Sequence, residues 1–202
     1  MPGQYYAFVP FTDEELEKRL SGEASVLRIT VRWRQDANEL MVASRKRPII
    51  IQYKAGENAL LGSPFDPLGD TVYVIGHCHR GGNHLCSSRA GIRFDRAELD
   101  GHELVRRLLH YVPIATVNFK LLACFGGASQ LDDGGGPPAI KSDSFASKLF
   151  AELRKVYRSA VLTAYLLPVK VGLDADGHKM LTLENGSGNG GRASANRVRF
   201  GA

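Results

Sequence analysis

The chain has 202 residues, of which 44% are hydrophobic, with 26 Lys and Arg against 21 Asp and Glu. This composition excludes a largely disordered chain, and the length suits one domain, or two small ones, able to bury roughly 70% of the unfolded surface. No apolar run approaches the ~18 residues of a membrane-spanning helix, and Met1-Pro2-Gly3-Gln4 lacks the basic-then-apolar pattern of a cleaved secretory signal, so neither a membrane partner nor a leader is expected.

The net charge of +5 is mild. Arg45-Lys46-Arg47 and the late Arg192, Arg197 and Arg199 read as solvated charge. Without a basic stripe interleaved with aromatics, no nucleic-acid partner is expected. Three cysteines cannot all pair, which points to reduced thiols in a cytoplasmic compartment.

In chain order, Tyr5 to Val9 reads as a short strand. Thr12 with Glu15 three residues on forms a capping-box pattern, and Asp13-Glu14-Glu15 place acid in a first turn, predicting a helix over about 12–21 closed by Gly22. Val26 to Trp33 reads as a strand with Arg28 and Arg32 on one face. Ile49-Ile50-Ile51 reads as another strand of buried character. Residues 56–69, rich in Gly and Pro, read as a loop.

Thr71-Val72-Tyr73-Val74-Ile75 is a short β-branched run that predicts a central strand buried on both faces. Residues 77–95 read as irregular. Asp100 caps a helix with Leu104, Val105, Leu108 and Leu109 on its apolar stripe. Val117 to Ala123 predicts a second buried strand, followed by a Gly-rich loop over 126–142. Ser142 or Ser144 caps a helix to about Tyr157, with Phe145, Leu149, Leu153 and Val156 inward. Ala160 to Leu166 is a third buried strand, and Val169 to Leu183 reads as a hairpin turning at Asp174-Ala175-Asp176-Gly177. From Asn185 the composition predicts a flexible Gly/Ser/Asn-rich tail, 185–202, after a single domain over 1–184. Strand alternating with helix argues for a three-layer α/β/α sandwich with a mostly parallel central sheet, whose ligands sit beyond the carboxyl ends of the strands.

Two predicted strands end in reactive residues. One runs into Gly76-His77-Cys78-His79 and the next into Ala123-Cys124-Phe125-Gly126-Gly127. If these strands are neighbours, an imidazole and a thiol leave the same edge of the sheet. A thiol needs such a base to become a useful thiolate. Gly126-Gly127 would let a substrate backbone approach. His79 is an alternative base.

The segment offers a metal reading too, because His77, Cys78, His79, His84 and Cys86 lie within ten residues. Three consecutive side chains do not converge on one ion easily, and paired zinc spacings are absent, so no metal or other cofactor is expected. His102, His110 and His178 read as surface or helix residues. No phosphate-binding loop or Ser-hydrolase elbow is present.

The pattern resembles the caspase-like cysteine peptidases of clan CD, which include separases and the autoprotease domains of large bacterial toxins. There an apolar strand ends in a small residue, His and Gly, and a later one ends in Ala-Cys or Gly-Cys. The matching segments are Val72 to His77 and Phe119 to Cys124, and the resemblance covers about residues 70–183.

It implies a caspase-like fold, a His77–Cys124 dyad hydrolysing peptide bonds, oxyanion contacts from the backbone N–H groups of Cys78 and Cys124, a polypeptide substrate, and an effector or toxin setting, which would allow secretion without a cleaved signal. Cys78 stands where the family has Gly; its N–H remains, but its side chain adds bulk near the thiol. An inactive caspase-like binding module is therefore the competing reading, with zinc binding by the 77–86 cluster a further one.

For substrate preference, Asp132 and Asp133 offer acid near the thiol and Arg80 or Arg89 offer base; each is equally readable as solvated loop charge. Toxin autoproteases of this resemblance respond to inositol hexakisphosphate. Here Arg45-Lys46-Arg47 are far in sequence from Lys148, Arg154, Lys155 and Arg158, so no strict polyanion requirement is expected.

Overall fold

In the computed structural model, the structure describes residues 3–17, 48–62, 65–78, 82–87, 97–123, 126–127, 143–166, 169–173, 179–182, 189–192 and 197–201. The predicted strand over 26–33, the distal part of the first helix and the turn at 174–177 lie outside them.

The all-buried run Thr71–Ile75 is β3, and it sits mid-sheet. It pairs in parallel with β1 (Tyr5–Val9) on one side and β6 (Asn118–Leu122) on the other. Beyond β1 lies β2 (Ile49–Gln52), also parallel. Beyond β6 lie β7 (Val161–Tyr165), parallel, and β11 (Arg197–Phe200), antiparallel. The six-stranded order is β2-β1-β3-β6-β7-β11.

The chain moves outward from β1 to β2 in one direction and from β3 to β6 and β7 in the other. The place where ligands bind in such sheets is therefore the carboxyl end of the β1/β3 neighbourhood. A two-stranded ribbon of β4 (Leu85–Cys86) and β5 (Glu98–Leu99) follows β3. A three-stranded antiparallel sheet joins β8 (Val169–Leu173), β9 (Lys179–Thr182) and β10 (Asn189–Arg192).

Three helices are described: α1 (Asp13–Glu17), α2 (Gly101–Leu109) and α3 (Phe145–Val156). Their starts follow the sequence closely. The Thr12 N–H donates to Glu15 Oε2 at 2.9 Å while the Glu15 N–H donates to Thr12 Oγ1 at 3.2 Å, a reciprocal capping box. Asp100 accepts from the Glu103 N–H and Ser144 from the Ser147 N–H.

α2 and α3 pack together, and Gly101 permits the approach: a Cβ there would stand 3.1 Å from the Leu149 Cα. The Phe119 ring meets Tyr157, just past α3, edge-on at 5.0 Å, and the Tyr157 hydroxyl donates to the Val112 carbonyl. Leu104, Leu108, Leu121, Leu149 and Phe8 are fully buried in the same core.

One buried cation ties the N-terminal part to α2. Arg107 donates to both Glu15 carboxylate oxygens at 2.6 and 2.7 Å, to Glu103 at 2.8 Å and to the Pro10 carbonyl at 2.7 Å. Its guanidinium lies 4.5 Å from the centre of the Tyr53 ring. Every carboxylate it meets also answers to another donor, so the charge is neutralised and hydrogen-bonded at once.

Two expectations are corrected. Ile49 and Ile50 are 47% and 45% exposed, because among the described residues β2 is an edge strand paired on one side only; of the three isoleucines just Ile51 is buried. The stretch read as a flexible tail contributes two strands, and β11 completes the central sheet with Val198 in the core. Gly, Ser and Asn content masked a short alternation, Arg197-Val198-Arg199-Phe200, whose period of two is that of a half-buried strand.

Removing Arg107 leaves Glu15 and Glu103 in a half-buried site without their shared cation. Arg107→Ala is expected to lower stability by about 3 kcal/mol in urea unfolding. Hydrogen bonds from Arg106 and then Arg107 hold the Glu103 carboxyl down to about 2. Burial pushes Glu15 up, but the Arg107 and Thr12 contacts outweigh it and leave the group below its usual range. Both folded values are depressed, so the stability they confer is complete above the ordinary carboxylate range and is lost as pH falls from about 4.5 toward 2. Glu103→Gln should flatten that acid limb; an unchanged limb would remove Glu103 as its source.

Candidate functional site

β3 and β6 run in register from Thr71 opposite Asn118 to Ile75 opposite Leu122. The Gly76 N–H continues the ladder to the Leu122 carbonyl at 3.4 Å. His77 then leaves the central sheet and forms an antiparallel bridge with Cys86: its N–H donates to the Cys86 carbonyl at 2.9 Å, and the Cys86 N–H donates back at 2.7 Å. His77 itself is half-buried.

The residues around this bridge explain its position. A Cβ on Gly76 would stand 2.5 Å from Leu85, so glycine is what lets β4 cross so close to the end of β3. Leu85 and its partner Leu99 are buried and anchor the ribbon in the core. Cys86 pairs with Glu98; its Sγ lies 3.9 Å from Glu98 Oε1, and His84 Nδ1 lies 3.6 Å from Glu98 Oε2. The chain then passes directly to the Asp100 cap of α2. The histidine is thus held from three sides, by β3, by the ribbon and through the ribbon by a helix.

Cys78 is 5% exposed and belongs to the core cluster. Cys86 is 1% exposed.

On the neighbouring strand, Ala123 is buried directly after β6. Cys124 and Phe125 lie outside the described residues, as do His79, Arg80, Arg89, Asp132 and Asp133. The chain is described again at Gly126 and Gly127, and both are pinned. The Gly126 carbonyl accepts from the Ala146 N–H at the start of α3, and the Gly127 N–H donates to the Tyr165 carbonyl after β7 runs its course. Both glycines are buried, and added Cβ atoms would meet Leu121 at 2.6 Å and Val198 at 2.5 Å. Their smallness serves packing against Leu121 and Val198.

Beside the ribbon an open groove of about 430 Å³ lies between Asn83 and His84, the start of α2 and one face of α3. His102 Nδ1 stands 3.6 Å from Glu152 there, and Lys148 donates to Asn83. Among the described residues no three His, Cys, Asp or Glu side chains come together to hold a metal ion. Neither a family model nor a curated protein matches the chain. No helix among the described residues is long and apolar enough to cross a membrane.

The ribbon and its bridge to His77 were missed by sequence reasoning, which read 77–95 as irregular. Two-residue strands carry too little alternation to register; the signal that could have found them is Leu85 and Leu99 as isolated apolar residues among polar ones.

Gly76→Ala should cost roughly 1–3 kcal/mol by forcing Leu85 out of place. In a Leu85→Ala background the same change should cost clearly less, because the space is then vacant. Equal costs in the two backgrounds, measured by urea unfolding, would show that the Gly76–Leu85 contact does not set the ribbon's position.

Proposed function

We propose that the chain is a cysteine endopeptidase, or a self-processing protease, with Cys124 as nucleophile and His77 as base. The observation that carries this reading is the in-register parallel pairing of β3 with β6. The strands leading to His77 and to Cys124 are nearest neighbours with the same direction, and each of the two residues comes two positions after the Ile75–Leu122 pair. The anchoring of Ala123 on one side and Gly126 on the other supports it, since it leaves only a two-residue span to carry the thiol.

In this mechanism the Cys124 thiol gives its proton to the His77 imidazole, and the thiolate attacks the peptide carbonyl carbon. The oxyanion is met by the backbone N–H groups of Cys78 and Cys124. His77 returns the proton to the leaving amine. Water, deprotonated by the same imidazole, then hydrolyses the thioester and restores the thiol.

The α/β sheet flanked by helices suits the three-layer arrangement of the caspase-like peptidases that the motifs resemble. A reducing, cytoplasmic compartment suits a thiol nucleophile, and a bacterial effector or toxin role fits the same resemblance. The second reading, a non-catalytic module of that family, is favoured by Cys78 in place of glycine.

Cys124→Ala and His77→Ala should each lower peptide-bond cleavage by roughly a thousandfold or more, with the melting temperature little changed. Cleavage unaffected by Cys124→Ala ends the peptidase reading. Iodoacetamide separates the two readings further. Cys78 and Cys86 are buried, so a thiolate at Cys124 should take the label alone and quickly at neutral pH, whereas uniformly slow labelling favours the module.

A further inference from the structure

β11 closes one edge of the central sheet, and among the described residues it pairs only with β7. A strand bonded on one side turns half of its peptide groups outward, ready to template another strand. The side chains alternate. Val198 is buried and Phe200 packs 5.8 Å from Phe150, while Arg197 and Arg199 share the other face and are exposed. Arg197 stands opposite Tyr165, and Arg199 opposite Thr163.

The same face carries Lys120 one strand further in, opposite Thr163 and donating to the Tyr73 hydroxyl at 3.3 Å. Burial and the charge of Arg197 hold its ammonium below the usual lysine range. Among the described residues no carboxylate pairs with Lys120, Arg197 or Arg199. This contrasts with Arg107, which has two.

We propose that the free edge of β11 receives an extended acidic polypeptide segment, which joins the sheet as an added strand and sets its carboxylates against Arg197 and Arg199. Acids two residues apart on such a strand fall on one face, and cross-strand neighbours approach to about 5 Å, the right reach for both pairs. Charge decides the occupant. A second copy pairing β11 with β11 about a two-fold axis would gather four guanidinium groups with no carboxylate between them. An acidic strand answers the field of all three cations and gains the main-chain bonds as well. The inference is independent of the peptidase reading, since it uses neither His77 nor Cys124.

The test uses the full chain and a fluorescein-labelled, end-blocked peptide alternating Glu with Thr, read by fluorescence anisotropy. Two control peptides alternate Lys with Thr, or keep Glu and Thr with N-methylated backbone amides. The Glu peptide should bind, more weakly as salt rises, and both controls should bind at least roughly tenfold less well, the scale two cross-strand charge pairs supply. Arg197→Glu with Arg199→Glu should reverse the preference toward the Lys peptide. Arg197→Gln with Arg199→Gln should weaken the Glu peptide without reversal. Both side chains are exposed, and an unchanged melting temperature confirms the fold. Equal binding of the Glu and Lys peptides, undiminished binding of the N-methylated one, no binding at all, or a dimer that the Glu peptide fails to displace would each overturn the proposal.

Discussion

β3 is bonded along both edges and buried on both faces, and the rest of the sheet takes its level from it. A peptide group in that position has no water to turn to, so its partners must come from β1 and β6. A slip of one residue against either neighbour would exchange faces, sending Val72 and Val74 toward the half-polar side that carries Lys120 and moving Tyr73 into the helix-covered core. Register is therefore strongly determined exactly where the two candidate reactive residues depart.

The strongly patterned elements were legible in the sequence. Thr71–Ile75 read as a short buried strand, Asp100 marked the start of α2, and Ser142 or Ser144 marked that of α3, where Ser144 is the cap. Thr12 and Glu15 announced their reciprocal bonds. What stayed hidden depended on neighbours remote in the chain. Nothing local distinguishes Ile49-Ile50-Ile51 as an edge strand from a central one, because exposure there follows from having a single partner. The link from Arg107 to Glu15 joins residues far apart in sequence, and neither residue type specifies the other. At the candidate site the order of His and Cys after successive predicted strands was readable, but that β3 and β6 are neighbours was not, because it is a fact of topology. Arg197-Val198-Arg199-Phe200 had the right alternation and was lost in the composition around it.

A buried cation, Arg107, and a half-buried one, Lys120, divide the electrostatics of the described residues. Arg107 sits among carboxylates, a main-chain carbonyl and an aromatic face, so its charge ends locally. Lys120 has a phenol hydroxyl and ring for company, with arginines beyond, so its field reaches outward across the sheet. The first arrangement consolidates an inter-element joint. Among the described residues the second gathers positive charge on one face of the sheet, which favours approach by acidic groups and discourages self-association through that edge.

The seat of Gly127 has a kinetic side. Its N–H is bound by Tyr165, and the space beside it is filled by Val198 of β11. During synthesis β1, β3 and β6 are all made well before residue 198, yet Gly127 acquires its packing floor only when β11 has been added. Contacts so distant in sequence form late, because loop closure must be met before they reward the chain. A nascent chain would thus lack the Val198 contact at Gly127 until the antiparallel edge arrives, and order at Gly127 becomes a reporter of completed folding.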